Sequence, residues 1–285
     1  MSSPTRRPDS DDPGSPERGG PASAAPVAIF LCAGYGTRMG SLTATTPKPL
    51  LPLAGRPVLD YLLEPVAGFD GVAAIHVVSN HHYAAAFEAW AEDWRRRLGA
   101  GGPTLTIHDD GSASAEDRLG AIGDLAFVLD RIGPVSGALV AAGDNLYRFS
   151  LEPLWNAFRE RRTNQVLALH EPDLGKLRRT GVLELDDRRV VRLHEKPDDP
   201  PSEWACPSLY VLTEEALARV PDYLAEGRPK DEIGRLIGDL VEGQTVEAVT
   251  VHGERLHVGS PESYRHAEEA LQRARRDQES IPSSA

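Results

Sequence analysis

The stretch Val27-Ala28-Ile29-Phe30-Leu31-Cys32-Ala33-Gly34-Tyr35-Gly36-Thr37-Arg38-Met39 opens with five apolar residues and breaks at Gly34 and Gly36. An uninterrupted apolar run of this length predicts a strand buried on both faces, and the glycines predict a tight turn at its end. A strand running into a Gly-rich turn brings backbone N–H groups close to a phosphate. Arg38 adds a forked donor for phosphate oxygens, and Lys48, ten residues on in Pro47-Lys48-Pro49, adds a point charge. Each feature alone has a plainer use, the glycines as a turn and Arg38 as a solvated charge. Their combination at this spacing points to an anion site. Neither a dinucleotide-binding G-x-G-x-x-G nor a P-loop is present, because Arg38, Met39 and Gly40 follow Thr37.

Outward from this stretch, strands alternate with helices. Pro57 is expected to open a helix carrying Leu59, Leu62 and Leu63. Strands are expected at Ala73 to Val78, Leu105 to His108 and Gly137 to Ala142, with helices at Tyr83 to Leu98 and around Leu119 to Leu129. Trp90 and Trp94, four apart, read as helix packing, and adjacent His81 and His82 cannot easily share a metal. The alternation predicts an α/β fold, a doubly wound, Rossmann-like mixed β-sheet that is mainly parallel, with ligands beyond the carboxyl ends of the strands. The second half is elaborated. Strand-like runs at Gly181 to Leu185 and Val190 to His194 meet at Asp186-Asp187, a hairpin signal. Further strands are expected at Leu209 to Leu212, Val246 to Val251 and Arg255 to Val258, and helices at Asp231 to Leu240 and Pro261 to Arg273. The organisation is one domain over residues 26–273. Residues 1–25, rich in Pro, Ser, Gly and Asp, read as a disordered tail, and 274–285 as a flexible one.

Composition narrows the function. With 31 basic and 43 acidic residues the net charge is −12, which argues against a nucleic-acid binder while allowing a small anion in a local basic pocket. No apolar run reaches the ~20 residues that span a bilayer, and nothing after Arg6 and Arg7 resembles a signal peptide. Two distant cysteines, Cys32 and Cys206, make no disulfide framework, so a cytoplasmic setting is the expectation. Lysine is scarce, at Lys48, Lys176, Lys196 and Lys230 only, which makes each more suggestive of a specific task.

The blocks Gly34-Tyr35-Gly36-Thr37-Arg38-Met39, Thr46-Pro47-Lys48-Pro49-Leu50 and Gly55-Arg56-Pro57 resemble the signature of the sugar-1-phosphate nucleotidyltransferases, the NDP-sugar pyrophosphorylases. The resemblance continues through Arg118-Leu119-Gly120-Ala121, Gly143-Asp144-Asn145, Thr180-Gly181-Val182, Glu195-Lys196-Pro197, Leu209-Tyr210 and Gly259-Ser260-Pro261-Glu262, in the family's order. It implies that a sugar-1-phosphate attacks the α-phosphorus of an NTP and pyrophosphate leaves. By the resemblance, Leu31, Ala33, Gly34, Gly36, Thr37 and Gly120 hold the nucleotide, Arg38 the leaving pyrophosphate, and Lys48 the charge at the α-phosphate. Gly181, Glu195, Lys196 and Ser208 line the acceptor site, with Lys196 on the phosphate and Glu195 on sugar hydroxyls. Asp144 binds Mg²⁺ by the same similarity, although an Asx turn or helix cap would use an Asp there equally well.

One departure stands out. Where the family carries an Asp as second metal ligand before Gly-Ser-Pro-Glu, this chain has His257. Imidazole suits Mn²⁺ or Co²⁺ better than Mg²⁺. Ser208, where the family often has Gly, hints at an altered acceptor pocket. Three readings follow. The first is transfer to a sugar-1-phosphate. The second is transfer to another phosphorylated acceptor, such as a cyclitol phosphate, phosphocholine or a phosphonate. The third is a weakened subunit that binds nucleotide sugar. The partners expected are an NTP and a phosphorylated small molecule, with no nucleic acid and no membrane. The base and the oligomeric state stay open, the family commonly forming homo-oligomers.

Overall fold

The computed structural model describes residues 25–279. In chain order the elements are β1 (Val27–Leu31), β2 (Pro52–Leu53), β3 (Arg56–Pro57), α1 (Asp60–Ala67), β4 (Ala74–Ser79), α2 (Ala84–Leu98), β5 (Thr104–Asp109), α3 (Ala121–Ile132), β6 (Gly137–Ala142), β7 (Asn145–Tyr147), α4 (Glu152–Arg161), β8 (Asn164–His170) and α5 (Leu174–Leu177). They continue with β9 (Gly181–Asp186), β10 (Arg189–Glu195), β11 (Trp204–Cys206), β12 (Leu209–Thr213), α6 (Glu214–Ala218), α7 (Val220–Ala225), α8 (Ile233–Gly243), β13 (Val246–Val251), β14 (Arg255–His257) and α9 (Pro261–Glu279).

Ten strands form one sheet in the order β11-β9-β10-β13-β8-β12-β6-β1-β4-β5. Strands β6, β1, β4 and β5 run parallel, as the βαβ pattern predicts. The second half makes the sheet mixed, as expected. There β12 is antiparallel to both β6 and β8, and β9, β10 and β11 form antiparallel pairs. Short connections such as Asp187-Arg188 can join only antiparallel strands.

Strand alternation sorts the core. Val27 and Ile29 face α3, α7 and α8, whereas Ala28 and Phe30 face α1, α2 and α4. A third cluster joins Met39, Leu53, Leu146 and Leu256 to Ala267 and Ala270 of α9, so α9 closes over the turn after β1. Helix α9 runs on to Glu279, beyond the end expected at Arg273. Residues 1–24 and 280–285, where the tails are expected, lie outside the described residues.

The first helix is also shorter than expected. Pro57 sits in the β2–β3 hairpin and α1 begins at Asp60, because Val58 N–H and Leu59 N–H are bonded to Leu51 and Pro49 carbonyls. Trp90 and Trp94 both donate to Asp60 Oδ1 at 2.8 Å, which confirms a packing role. Cys32 and Cys206 are buried and unpaired. No helix among the described residues is long and apolar enough to cross a membrane.

The carboxyl ends of β1, β4, β5 and β6 share one edge. Gly143 N–H bonds the Leu31 carbonyl at 3.2 Å and Cys32 N–H the Val78 carbonyl at 2.9 Å. β12 enters at the same edge, where Ala142 N–H donates to the Ser208 carbonyl at 3.0 Å. Gly143 is required by close approach, since a Cβ there would lie 2.3 Å from Cys32 Sγ. Gly143→Ala is therefore expected to destabilise the fold by ~1–3 kcal/mol through overpacking. Thermal unfolding should show a lower Tm that Cys32→Ala partly restores; an unchanged Tm would contradict the contact.

Candidate active site

The turn after β1 is built by side chains that bond its backbone. Gly36 adopts φ +63°, a left-handed conformation that favours glycine, and Thr43 Oγ1 donates to its carbonyl at 3.1 Å. Asn80, at the end of β4, donates from Nδ2 to the Ala33 carbonyl at 2.9 Å. Tyr35 hydroxyl donates to the Ser112 carbonyl at 2.8 Å, tying the turn to the loop after β5. Gly34, Thr37 and Arg38 stay exposed at the mouth. Arg38 makes no ion pair among the described residues and is free for an anion. Gly120 starts α3 at φ +80°, packed against Lys230 and Asp231.

Lys48 and Asp144, 96 residues apart, meet in a charge-assisted hydrogen bond, Nζ to Oδ2, with both side chains largely out of solvent. Burial pushes the Asp144 carboxyl up, but Lys48, then His257 and Arg255, hold it net below the usual carboxylate range. Its other oxygen accepts from Asn145 Nδ2 at 3.0 Å. His257 Nδ1 lies 3.7 Å from the same oxygen, so the departing residue does face Asp144. The ring also lies against Gly259, where a Cβ would come within 2.4 Å of Nε2. Burial, with the cations Arg255, Lys48 and Arg38, lowers the His257 pKa despite Asp144, which favours a neutral imidazole.

The residues expected to line an acceptor site gather across the edge. Gly181 pairs with Cys206 and Glu195, and Lys196 N–H donates to the Thr180 carbonyl at 3.2 Å. Glu195 is half-buried. Its carboxyl is raised by burial and by Glu232, and it lies against Gly181 and Gly234, whose missing side chain makes room for it. Lys196 has φ +50°, a sparsely populated backbone state for a non-glycine, and its ammonium is paired with Glu232. Glu232 is also held by Arg235 at 2.9 Å. Neither Glu232 nor Arg255 was legible in the sequence. No local motif marks them, and only pairing distant in sequence brings them here.

Mg²⁺ takes oxygen ligands and is commonly held by one or two carboxylates together with substrate phosphates. Asp144 supplies one carboxylate, and the Oδ1 of neighbouring Asn145 is buried without a partner. No group of three or more His, Cys, Asp or Glu side chains placed to hold a metal occurs among the described residues. This donor set fits Mg²⁺ that shares its ligands with bound phosphates. His81 and His82 do not pair on a metal: His81 bonds Asp109 at 2.7 Å, and His82 packs on Tyr83.

Asp110, directly after β5, and Asp124 of α3 form an acidic pair. Asp110 accepts from Ser112 N–H and Oγ at 2.7 Å each, and Asp124 of α3 is pushed up to about 8 by burial and then by Asp110, with Lys230 pulling the other way. Asp124 thus holds a proton that the unfolded chain, with its ordinary carboxyl pKa, has lost. The folded state binds more protons between about pH 4 and 8, so stability falls as pH rises through that window, by at most ~1.4 kcal/mol per pH unit for one proton. Wild-type Tm should therefore drop more than that of Asp124→Asn between pH 5 and 8.5. Parallel profiles would contradict the buried proton.

The family model for nucleotidyl transferase matches residues 27–274, nearly the whole described chain. The chain belongs to the nucleotidyl transferase family. Among the relatives of this nucleotidyl transferase is the UTP–glucose-1-phosphate uridylyltransferase AglF of Haloferax volcanii, 26% identical over 247 residues, covering 86% of this chain and 96% of that protein. The mannose-1-phosphate guanylyltransferase of Mycobacterium tuberculosis is 33% identical over 196 residues, covering 68% of this chain and 50% of the relative. The fold of this chain is shared with a UDP-glucose pyrophosphorylase solved with UDP-glucose, at a TM-score of 0.71 and 20% identity over 88% of this chain and 99% of that one.

Proposed function

We propose that this enzyme condenses an NTP with a sugar-1-phosphate to give an NDP-sugar and pyrophosphate. The observation that carries the reading is the Lys48–Asp144 centre, which stands between the turn after β1 and the Gly181–Glu195–Ser208 edge. Two mouths meeting at one cation–carboxylate pair suit a reaction that joins two phosphorylated substrates.

The acceptor phosphate, a monoester with a second pKa near ~6, is already largely ionised at neutral pH and needs no general base. One of its oxygens bonds to the α-phosphorus while the bond from that phosphorus to the bridging oxygen breaks, and pyrophosphate leaves with the electron pair. The protein positions the groups and neutralises charge. The turn from Ala33 to Thr37 and Gly120 hold the nucleotide, Arg38 takes the pyrophosphate, and Lys48 moves from Asp144 onto the α-phosphate. Asp144 would hold Mg²⁺, which when bound neutralises phosphate charge. Lys196 takes the acceptor phosphate, which displaces Glu232, and Glu195 accepts from sugar hydroxyls.

The names of the relatives, which cite glucose- and mannose-1-phosphate, support a hexose-1-phosphate acceptor. Pyrophosphate release across ATP, CTP, GTP, UTP and dTTP, crossed with sugar-1-phosphates, cyclitol phosphates and phosphocholine, tests the reading. Release that depends on a sugar-1-phosphate supports it, and release with only a non-sugar acceptor overturns the substrate class. Lys196→Ala should raise the acceptor KM by about ten-fold or more, as expected for loss of a charged hydrogen bond, with much less effect on the NTP KM. A rise in the NTP KM instead would reverse the two half-sites.

A further inference from the structure

The β7–β14 ribbon has two distinct faces. Tyr147 pairs with Arg255 and Asn145 with His257, so these four side chains share one face. Leu146 and Leu256 share the other and are buried under α9. The polar face is the one that carries His257 toward Asp144. It also holds two buried polar atoms with no partner, Asn145 Oδ1 and the Tyr147 hydroxyl. Arg255 is half-buried on this face and makes no ion pair or side-chain hydrogen bond among the described residues. Its charge reaches both halves of the site. It pulls on Asp144 and, against the effects of burial and Glu195, on the Cys206 thiol of the acceptor edge.

The cations around the reacting centre are therefore not equivalent. Lys48 is engaged by Asp144 and Lys196 by Glu232, so an arriving phosphate must break an ion pair to reach either. Arg255 needs no such exchange. A half-buried guanidinium without an anion is costly, and its planar fork matches two phosphate oxygens at once.

We propose that Arg255 binds the phosphate of the acceptor, supplying a cation from the same face of β14 that carries His257, in place of a second carboxylate, toward Asp144. This rests on the acceptor half-site proposed above. The ligand class is a phosphate monoester, engaged bidentately, before Lys196 is released from Glu232.

The test titrates the full chain, without NTP, with inorganic phosphate and with glucose 1-phosphate, in wild type, Arg255→Gln and Arg255→Lys. It then measures both KM values by steady-state kinetics. Arg255→Gln should weaken phosphate binding about ten- to hundred-fold and raise the acceptor KM in step, with the NTP KM within a few-fold. Arg255→Lys, which keeps the charge and loses the fork, should fall between. Folded variants that bind inorganic phosphate within two-fold of wild type, or that raise only the NTP KM, overturn the proposal. Should Arg255→Gln fail to fold, Arg255→Lys decides: phosphate binding equal to wild type overturns it. If wild type uses no sugar-1-phosphate, the proposed function fails by itself, and the inorganic phosphate titration still judges Arg255.

Discussion

Lys48→Ala is expected to lower kcat by ~10²–10³, equivalent to ~3–4 kcal/mol, the usual cost of removing one preorganised donor aimed at developing charge. Lys48 is held by Asp144 at the meeting point of the two proposed half-sites, out of bulk solvent, where a charge acts at higher strength than in water. Its loss also leaves Asp144 with less positive charge, so a modest fall in Tm should accompany the kinetic effect. Lys48→Arg keeps the charge and the Asp144 partner, and should recover part of the rate. Stopped-flow or steady-state pyrophosphate release reads both variants. A folded Lys48→Ala enzyme within a few-fold of wild type would remove Lys48 from the chemistry.

Asp144→Asn should abolish most of the metal-dependent rate, by a similar or larger factor. Asp144 is the carboxylate in the centre, and His257, at the position expected to carry a second one, stands with Nδ1 3.7 Å from Asp144 Oδ1. Mg²⁺ should accordingly bind weakly to the free protein and more tightly once NTP phosphates share its coordination. His257→Asp tests this separately, since it places a second carboxylate against Asp144. The expected result is a lower Mg²⁺ concentration at half-maximal rate, and an unchanged Mg²⁺ dependence would mean that His257 does not face the ion. If His257 itself ligates, wild type should prefer Mn²⁺ or Co²⁺, and His257→Ala should erase that preference.

The legible parts of the fold were those set by local pattern. The apolar runs of β1, β6 and β13 mark their own ends, and α2 follows its apolar spacing closely. β8 was not legible because it opens with Asn164 and Gln165, polar residues that are nonetheless buried. Asn164 accepts from Thr213 N–H at 2.9 Å and donates to Gln244, so tertiary partners override its turn-forming tendency. The antiparallel second half depends on which strands pair, and short apolar runs carry no such information. In the site, Lys48 and Asp144 stood in separate motifs, and the fold joins them. Arg255 and Glu232 belong to no motif. Their positions follow from the β7–β14 pairing and from the loop between α7 and α8, both set by contacts remote in sequence.

The central claim is that the α-phosphorus of an NTP passes to a sugar-1-phosphate. Parallel reactions with [α-³²P]- and [γ-³²P]-labelled nucleotide, Mg²⁺ and a sugar-1-phosphate test it most directly. The account predicts that α label moves into an NDP-sugar and γ label into pyrophosphate, both requiring the acceptor. γ label appearing in orthophosphate or on the acceptor, with α label left in nucleoside diphosphate, would contradict it.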